Sequence, residues 1–397
     1  MPKAGFSDSL GSLRGIAALA VVIYHSLKVF QVGSYDDPYI MSLSWGDGWL
    51  FLSQMQLILF NGRSAVTLFF VLSGAVLTIS LLRGEKFGKL ELVAYYVRRG
   101  FRLYPLLVFV TLSAAALHIF YFTPGEQSAM TNWAARRYQH SPGVWEVFTN
   151  TIGYRHTLNP PSWTIYVEVV ASILFPLFFL SVMSRRTTII MGTVLLAILF
   201  LPSHPFLQQA GRFMICFFIG ALIPIYGEPA ARFFLSWAPL ARTITTLGVV
   251  SLLLSFNQIY QPAIEANPVR ILVETCCAAF IVCIAYYGPP LKFLRSRTCQ
   301  YLGEISYSVY LTHFGILFIL AHLIAPVAGA QMEPLSALRM NALLAVATIA
   351  VTLPIASVTH YMIEKPFQNF GRWVGGQVTG QLWLRKRVRS AVRPVTN

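Results

Sequence analysis

Apolar stretches of roughly twenty residues recur from one end of the chain to the other, separated by short polar or basic segments. As a helix, a stretch of that length matches the hydrocarbon thickness of a bilayer. The pattern predicts ten membrane-spanning helices, near residues 12–31, 64–82, 103–123, 162–183, 187–202, 211–227, 241–257, 270–287, 301–325 and 338–362. The longest connections fall near 32–63 and 124–161 and are rich in aromatic and turn residues. No internal repeat or low-complexity tract interrupts the pattern. The expectation is an all-α, polytopic transmembrane bundle over residues 1–363, followed by a basic tail over 364–397 and no appended soluble module.

Composition agrees with this pattern. The 397 residues are 56% hydrophobic and 11% charged, with a mean hydropathy of +0.61, whereas soluble domains carry about 25% charged residues. The formal charge of +15 in a soluble protein points to nucleic acid; in a membrane protein it is read through the positive-inside rule, and no nucleic-acid partner is expected. With the N-terminus cytoplasmic, 22 of the 30 Lys and Arg residues fall on the cytoplasmic side and 8 on the other, so both termini are expected there. The first apolar run lacks a small-residue cleavage site and reads as a retained span. The tail segment "LRKRVRSAVRP" suits an anionic inner leaflet or serves only to orient the chain. The five cysteines, four of them in apolar runs and none in a CxxC pair, indicate neither a disulfide framework nor a zinc site.

Ionisable residues inside these spans carry the candidate chemistry, since a charge in hydrocarbon is costly and usually functional. In "SLRGIAALAVVIYH", Arg14 and His25 are eleven positions apart. At about 100° and 1.5 Å per residue they share one helix face about 16 Å apart along the axis. A cation at the mouth and a titratable base far above it suit a long ligand with an anionic end and a reactive end. The alternative is a snorkelling arginine and a packing histidine. In "YYVRRGFRLYP", Arg99 and Arg102 lie three apart on one face and suit phosphate, although topological anchoring accounts for some of this charge equally well. In "NPPSWTIYVEVV", Asn159 reads as a helix cap and Trp163 as an interfacial or acceptor-contacting aromatic. Glu168, six residues inside, reads as an acid/base partner of His25 or as a structural ion pair. Ser73, in "TLFFVLSGAVLT", lines a ligand channel or packs beside Gly74 against a neighbouring helix. "LGEISYSVYLTHFG" places Ser306, Tyr310 and His313 at i, i+4 and i+7, a polar stripe suited to an acceptor site, with a hydrogen-bonded packing role equally open to His313. His118, His322 and His360 read as structural, and His140, His156 and His204 fall in loops. No HExxH or other metal spacing appears, nor any phosphate-binding glycine loop.

Taken in order, "LRGIAALAVVIYH", "FFVLSG", "RRGFRLYP", "NPPSWTIYVE", "LGEISYSVYLTHF" and "HYMIEKPF" resemble the acyltransferase family 3 membrane proteins over nearly the whole chain. The resemblance implies a multi-pass O-acyltransferase, expected in a bacterial inner membrane, that takes acyl groups from cytoplasmic acyl-CoA, usually acetyl-CoA. The acceptor it implies is a hydroxyl of a surface glycan or lipid-linked sugar, mostly at the outer face. It assigns Arg14 and His25 to the family's essential pair, Arg99 and Arg102 to its RxxR, and Glu168 to the carboxylate opening the fourth span. CoA phosphates then sit among Arg14, Arg99 and Arg102. His25 acts as general base or as transient acyl carrier, and Glu168 sets its tautomer or charge. "SAVTLFF", "YLTHFG" and "WTIYVE" depart from the family's usual wording at positions that bear on acceptor choice. A transporter of an anionic or sugar-linked solute, or a scaffold in a glycan assembly machine, are the readings from other classes.

Overall fold

The computed structural model describes residues 6–35, 41–83, 88–122, 130–137, 140–201, 210–260, 267–289, 291–328 and 332–380. Lys3, Lys86, His204 and the basic run 384–394 lie outside the described residues. The described chain is helical throughout, with no strand among the described residues beyond two isolated bridges. In a bilayer a helix satisfies its own backbone polar groups, so the apolar runs have no other open-ended option. The first half holds α1 (Phe6–Ser26), α2 (Gly48–Leu59), α3 (Gly62–Leu82), α4 (Lys89–Phe120), the short α5 (Asn132–Ala135) and α6 (Val144–Thr151), then α7 (Trp163–Ser181) and α8 (Arg185–Phe200). The second half holds α9 (Met214–Leu235), α10 (Pro239–Ile259), α11 (Pro268–Tyr287), α12 (Arg297–Glu304), α13 (Ser306–Ala328), α14 (Pro334–Thr359) and α15 (Lys365–Val378).

Nine stretches among the described residues are long and apolar enough to cross a membrane. Ten spans were expected. The helix at the fifth position, α8, has 16 residues and falls short of a full hydrocarbon crossing. Other boundaries moved for local reasons. The loop 32–63 contains α2, capped by Asp47, whose carboxylate accepts from the backbone N–H of Trp49 and Leu50 at 2.9 and 3.0 Å. The third span starts at Lys89, so the "RRGFR" stretch lies within α4 and presents its arginines from helical positions. The ninth span breaks at Ile305, where Ser306 donates to the carbonyl of Gly303 at 2.9 Å. The expected boundary at 363/364 falls inside a continuous rod. A π-turn over His360–Glu364 joins α14 to α15 without a loop. Asn159 does not cap α7; its amide donates to the carbonyl of Leu311 at 3.1 Å, and a turn over Pro160–Ser162 leads into the helix instead.

Helix α1 sits at the centre, packed on α3, α12, α13 and α14. Lipid tails are as apolar as leucine, so helices associate through close packing and internal hydrogen bonds rather than through expulsion of water. The glycines show where that packing is closest. A Cβ at Gly74 of α3 meets the carbonyl oxygen of Phe217 at 2.1 Å, and one at Gly220 of α9 meets that of Val71 at 2.2 Å. On the other flank of α1, a Cβ at Gly303 meets the carbonyl oxygen of Gly11 at 2.3 Å. Helix α15 lies against α4, where Gly371 faces the side chain of Phe101. By contrast α10 is almost entirely on the periphery, with 6% of its apolar window buried.

These crossings predict that Gly74→Leu destabilises the bundle by about 1–3 kcal/mol or more through overpacking. Gly248→Leu in α10, with nothing within 4 Å of its Cβ position, leaves stability nearly unchanged. Thermal unfolding of the two variants in detergent checks this; equal shifts would show that the α3–α9 crossing does not depend on glycine.

Candidate functional site

Two cavities and a neck run along α1. The first, about 260 Å³, is lined by Arg14, Ser73, Arg98, Arg99, Arg102 and Glu168, with Gln368 and Arg372 contributed by α15. The neck, about 40 Å³, retains Arg14, Ser73 and Glu168 and adds Phe69, Phe70 and Tyr310. The second, about 560 Å³, contains His25 and Lys28 from the end of α1, together with Trp133, Arg137, Trp163 and Tyr310. Arg14 therefore stands at one end of the series and His25 at the other, as their common helix face requires.

In the first cavity five arginines confront one carboxylate. Glu168 Oε1 accepts from Arg99 Nη2 at 2.8 Å. Ser172 Oγ takes the Nε and Nη2 hydrogens of the same guanidinium at 3.0 and 2.8 Å, and itself donates to the backbone of Glu168 at 2.6 Å. Arg99 is thereby matched and fixed. Arg14 is not: its Nε is buried and has no hydrogen-bond partner among the described residues. A buried guanidinium nitrogen without an acceptor is costly, and together with Arg98, Arg102 and Arg372 it leaves the cavity strongly cationic. This is the arrangement that receives a multiply charged anion. Gln368 is held in place by Glu364, whose Oε1 accepts from its Nε2 at 2.8 Å while Oε2 takes Ser308 at 2.8 Å and faces His360 at 2.9 Å.

The expected His25–Glu168 pair is not formed: Glu168 is engaged by Arg99, and His25 is held by a second histidine. His25 Nδ1 lies 2.9 Å from His313 Nε2, with the rings 5.2 Å apart and nearly parallel at 5°. The direction of this bond follows from the next one. His313 Nδ1 lies 3.2 Å from the carbonyl oxygen of Val309, which only accepts, so in the neutral ring the proton is on Nδ1 and Nε2 is the acceptor. His25 must then donate from Nδ1, which leaves its Nε2 as an unprotonated base beside the second cavity. Trp133, with its centroid 5.7 Å from that of His25 and inclined by 17°, packs alongside the imidazole.

The stripe Ser306, Tyr310, His313 stays together. Ser306 and Tyr310 line the neck, and Tyr310 donates to the carbonyl of Pro161 at 3.1 Å. His313 is fully buried and lines none of the three spaces, and it lies behind His25 as a hydrogen-bonded packing residue, the other of the two roles open to it in sequence. Trp163 lines the second cavity and packs edge-on against Phe70, 6.2 Å between centroids. Ser73 lines the first cavity and the neck, while its neighbour Gly74 makes the close contact with α9. Sequence reasoning missed Lys28, Trp133, Arg137, Arg270 and the contribution of α15. Lys28 carried a signal, three positions after His25. Trp133 and Arg137 belong to a loop whose placement local sequence does not specify.

The chain is a polytopic helical membrane protein in which a small space shares Arg14, Ser73 and Glu168 with the cationic cavity and Val66 and Tyr310 with the second cavity that holds His25. A family model described as an acyltransferase domain, that of acyltransferase family 3, matches residues 8–361, and the chain belongs to this family. The protein is a multi-pass membrane acyltransferase. Comparison with curated proteins and with solved structures gave no match.

The Arg99–Glu168 pair predicts a stability effect separable from catalysis. Glu168→Gln leaves a buried guanidinium facing a neutral partner and destabilises the protein on the order of 1–3 kcal/mol, less than a fully dry pair because both side chains keep some exposure. Combining it with Arg99→Met recovers most of the loss. Chemical unfolding of the single and double variants gives the coupling directly, and additive losses would show that the two side chains do not act as a pair.

Proposed function

We propose that the protein is an O-acyltransferase that moves an acyl group, most simply acetyl, from cytoplasmic acyl-CoA to a sugar hydroxyl at the opposite side of the membrane. The observation that carries this reading is the placement of five arginines and the free base of His25 at opposite ends of one neck. CoA is a phosphate-rich nucleotide with a long linear arm ending in a thioester. Its phosphates suit Arg14, Arg98, Arg102 and Arg372. Its arm, unlike its nucleotide, suits a neck of about 40 Å³, which delivers the thioester toward His25. Ser73 and Tyr310 flank the arm; Trp163 and Tyr310 border the acceptor. The acceptor is a glycan or lipid-linked sugar, and the setting is a bacterial inner membrane with both termini cytoplasmic.

In the step we propose, His25 Nε2 removes the proton from the acceptor hydroxyl as its oxygen attacks the thioester carbonyl. The C–O bond forms, the C–S bond breaks, and the departing thiolate recovers the proton from His25 as CoA thiol. His313 positions His25 by accepting from Nδ1 and stabilises the charge that develops on the ring, the place expected for Glu168. Direct transfer is favoured over an acyl-histidine because the base already borders the larger cavity.

Three predictions test this reading. His25→Ala abolishes CoA release in the presence of acceptor while CoA binding is retained, because His25 lies away from the arginine cluster. His313→Gln lowers kcat by roughly 10²–10⁴ with little change in KM for the donor, the scale of general-base catalysis. Substantial turnover by a folded His25→Ala variant would remove the catalytic assignment, and solute flux without CoA consumption would point to a transporter. For the donor, Arg14→Ala or Arg102→Ala weakens CoA binding about tenfold to a hundredfold, the worth of a charged hydrogen bond. Arg→Lys restores only part, because an ammonium lacks the fork. Titration of CoA into the detergent-purified variants measures this, and unchanged affinity in both reduces these arginines to topology anchors.

A further inference from the structure

The second cavity differs from an ordinary sugar site. Neutral sugars present hydroxyls that need acceptors as much as donors, and carboxylate and amide oxygens are the strongest side-chain acceptors. Among the described residues no carboxylate or amide side chain lines this cavity. Its polar wall is made of Lys28, Arg63, Arg137 and Arg270, with His25 and His156, and of the hydroxyls of Tyr24, Thr67, Thr157 and Tyr310. Two carboxylates stand behind this wall. Glu274 takes Ser64 and Thr67 at 3.2 and 2.8 Å and faces Arg270 at 3.6 Å, and Glu146 takes Thr157 at 2.6 Å. The amino group of Lys28 lies 5.3 Å from the centre of the Trp133 ring and the guanidinium carbon of Arg137 lies 5.8 Å from it. That ring therefore carries a cation on each of two neighbours beside the imidazole of His25.

The backbone points the same way. Arg63 and Arg270 occupy the first turns of α3 and α11, and α7 begins at Trp163 beside them. The N-terminal ends of three long helices thus meet at this cavity, each contributing a partial positive charge. Asn61 and Asn267 cap the first and last of these by accepting from backbone N–H groups at 3.0–3.3 Å, which fixes the two arginines at the rim. The volume of about 560 Å³ suits a saccharide rather than a single ion.

Resting on the acyl-transfer reading of this site, we infer that the acceptor is an anionic saccharide, one whose oxyanion, a carboxylate or a phosphate, is held by Arg63 and Arg137 while a neighbouring hydroxyl is presented to His25. The aromatic walls of Trp133 and Trp163 take the sugar ring, and the guanidinium groups select the charge. The cations line the space whatever else they touch, and the inference depends on that lining together with the absence, among the described residues, of carboxylate and amide side chains from it.

The experiment measures binding to the detergent-purified full chain saturated with CoA, so that the donor site is filled. The probes are glucuronic acid, N-acetylglucosamine 1-phosphate, uncharged N-acetylglucosamine and inorganic phosphate. The expected result is that at least one of the two charged sugars binds tenfold or more tighter than the uncharged one and than inorganic phosphate. Which of the two prevails identifies the oxyanion. That preference collapses in Arg137→Gln and Arg63→Gln and is partly kept in Arg137→Lys, which retains the charge and guards against a folding artefact. Equal binding of charged and uncharged sugars, phosphate binding as tightly as either charged sugar, or no sugar binding while CoA still binds overturns the inference and leaves the transferase reading standing. Failure of CoA itself to bind the wild type overturns the transferase reading on which this one rests.

Discussion

A charge inside a bilayer has to be matched by a partner or kept wet, and the polar interior of this bundle is organised by that requirement. Arg99 is matched by Glu168 and Ser172, and Glu274 by Arg270 and two hydroxyls. Glu364 is matched by Ser308, His360 and Gln368. Arg14, Arg98, Arg102 and Arg372 line the first cavity, and Lys28, Arg63 and Arg137 line the second. Between them the helices approach so closely that only glycine fits at Gly74 and Gly220. Close backbone contact there and cavities elsewhere have the same origin: the helices are held at crossing points, and the space left between crossings is polar.

The distribution of matched and unmatched arginines separates structure from function within one short sequence. Arg98, Arg99 and Arg102 look alike as a cluster. Only Arg99 is committed to an ion pair across to α7, and that pair orients the α4 surface on which the other two stand. Glu168 thus holds Arg99 in the first cavity, and His25 is held by His313, whose other ring nitrogen faces the carbonyl oxygen of Val309. On the proposed reading, Glu168 supports the donor end of the site rather than the base. Backing His25 with an imidazole instead of a carboxylate also keeps a negative charge away from the side that would receive an anionic ligand.

Much of this was legible in the sequence. Hydrophobic run length gave the helices, and the helical period placed Arg14 with His25 and Ser306 with Tyr310 and His313 on single faces, because those relations depend on one helix alone. The partners of His25 and Glu168 were not legible, since they depend on the rotation and depth of helices far apart in the chain, and a lone carboxylate in a span is equally ready for a histidine or an arginine. Trp133 and Arg137 were hidden in a connection with no periodicity to read. The role of α15 was hidden by composition: "KPFQNFGRWVGGQV" reads as polar and glycine-rich, yet its glycines allow it to lie on α4 and its polar face closes the first cavity.

The neck has a consequence for the cell as well as for the ligands. A protein with water-accessible cavities approaching from both ends of a membrane span is one constriction away from being a hole. A potential of 100 mV across the bilayer stores about 2.3 kcal/mol for each elementary charge, and a continuous water column would dissipate it through ion and proton leakage. The constriction here is walled by Val66, Phe69, Phe70 and Ile165 together with polar side chains that include Arg14, Ser73, Glu168 and Tyr310, around a space of about 40 Å³, room for about one to three waters. On the proposed reading, the same narrowness that suits a linear arm also limits the water and ions that could pass between the two cavities, so transfer across a charged membrane need not open a leak through it.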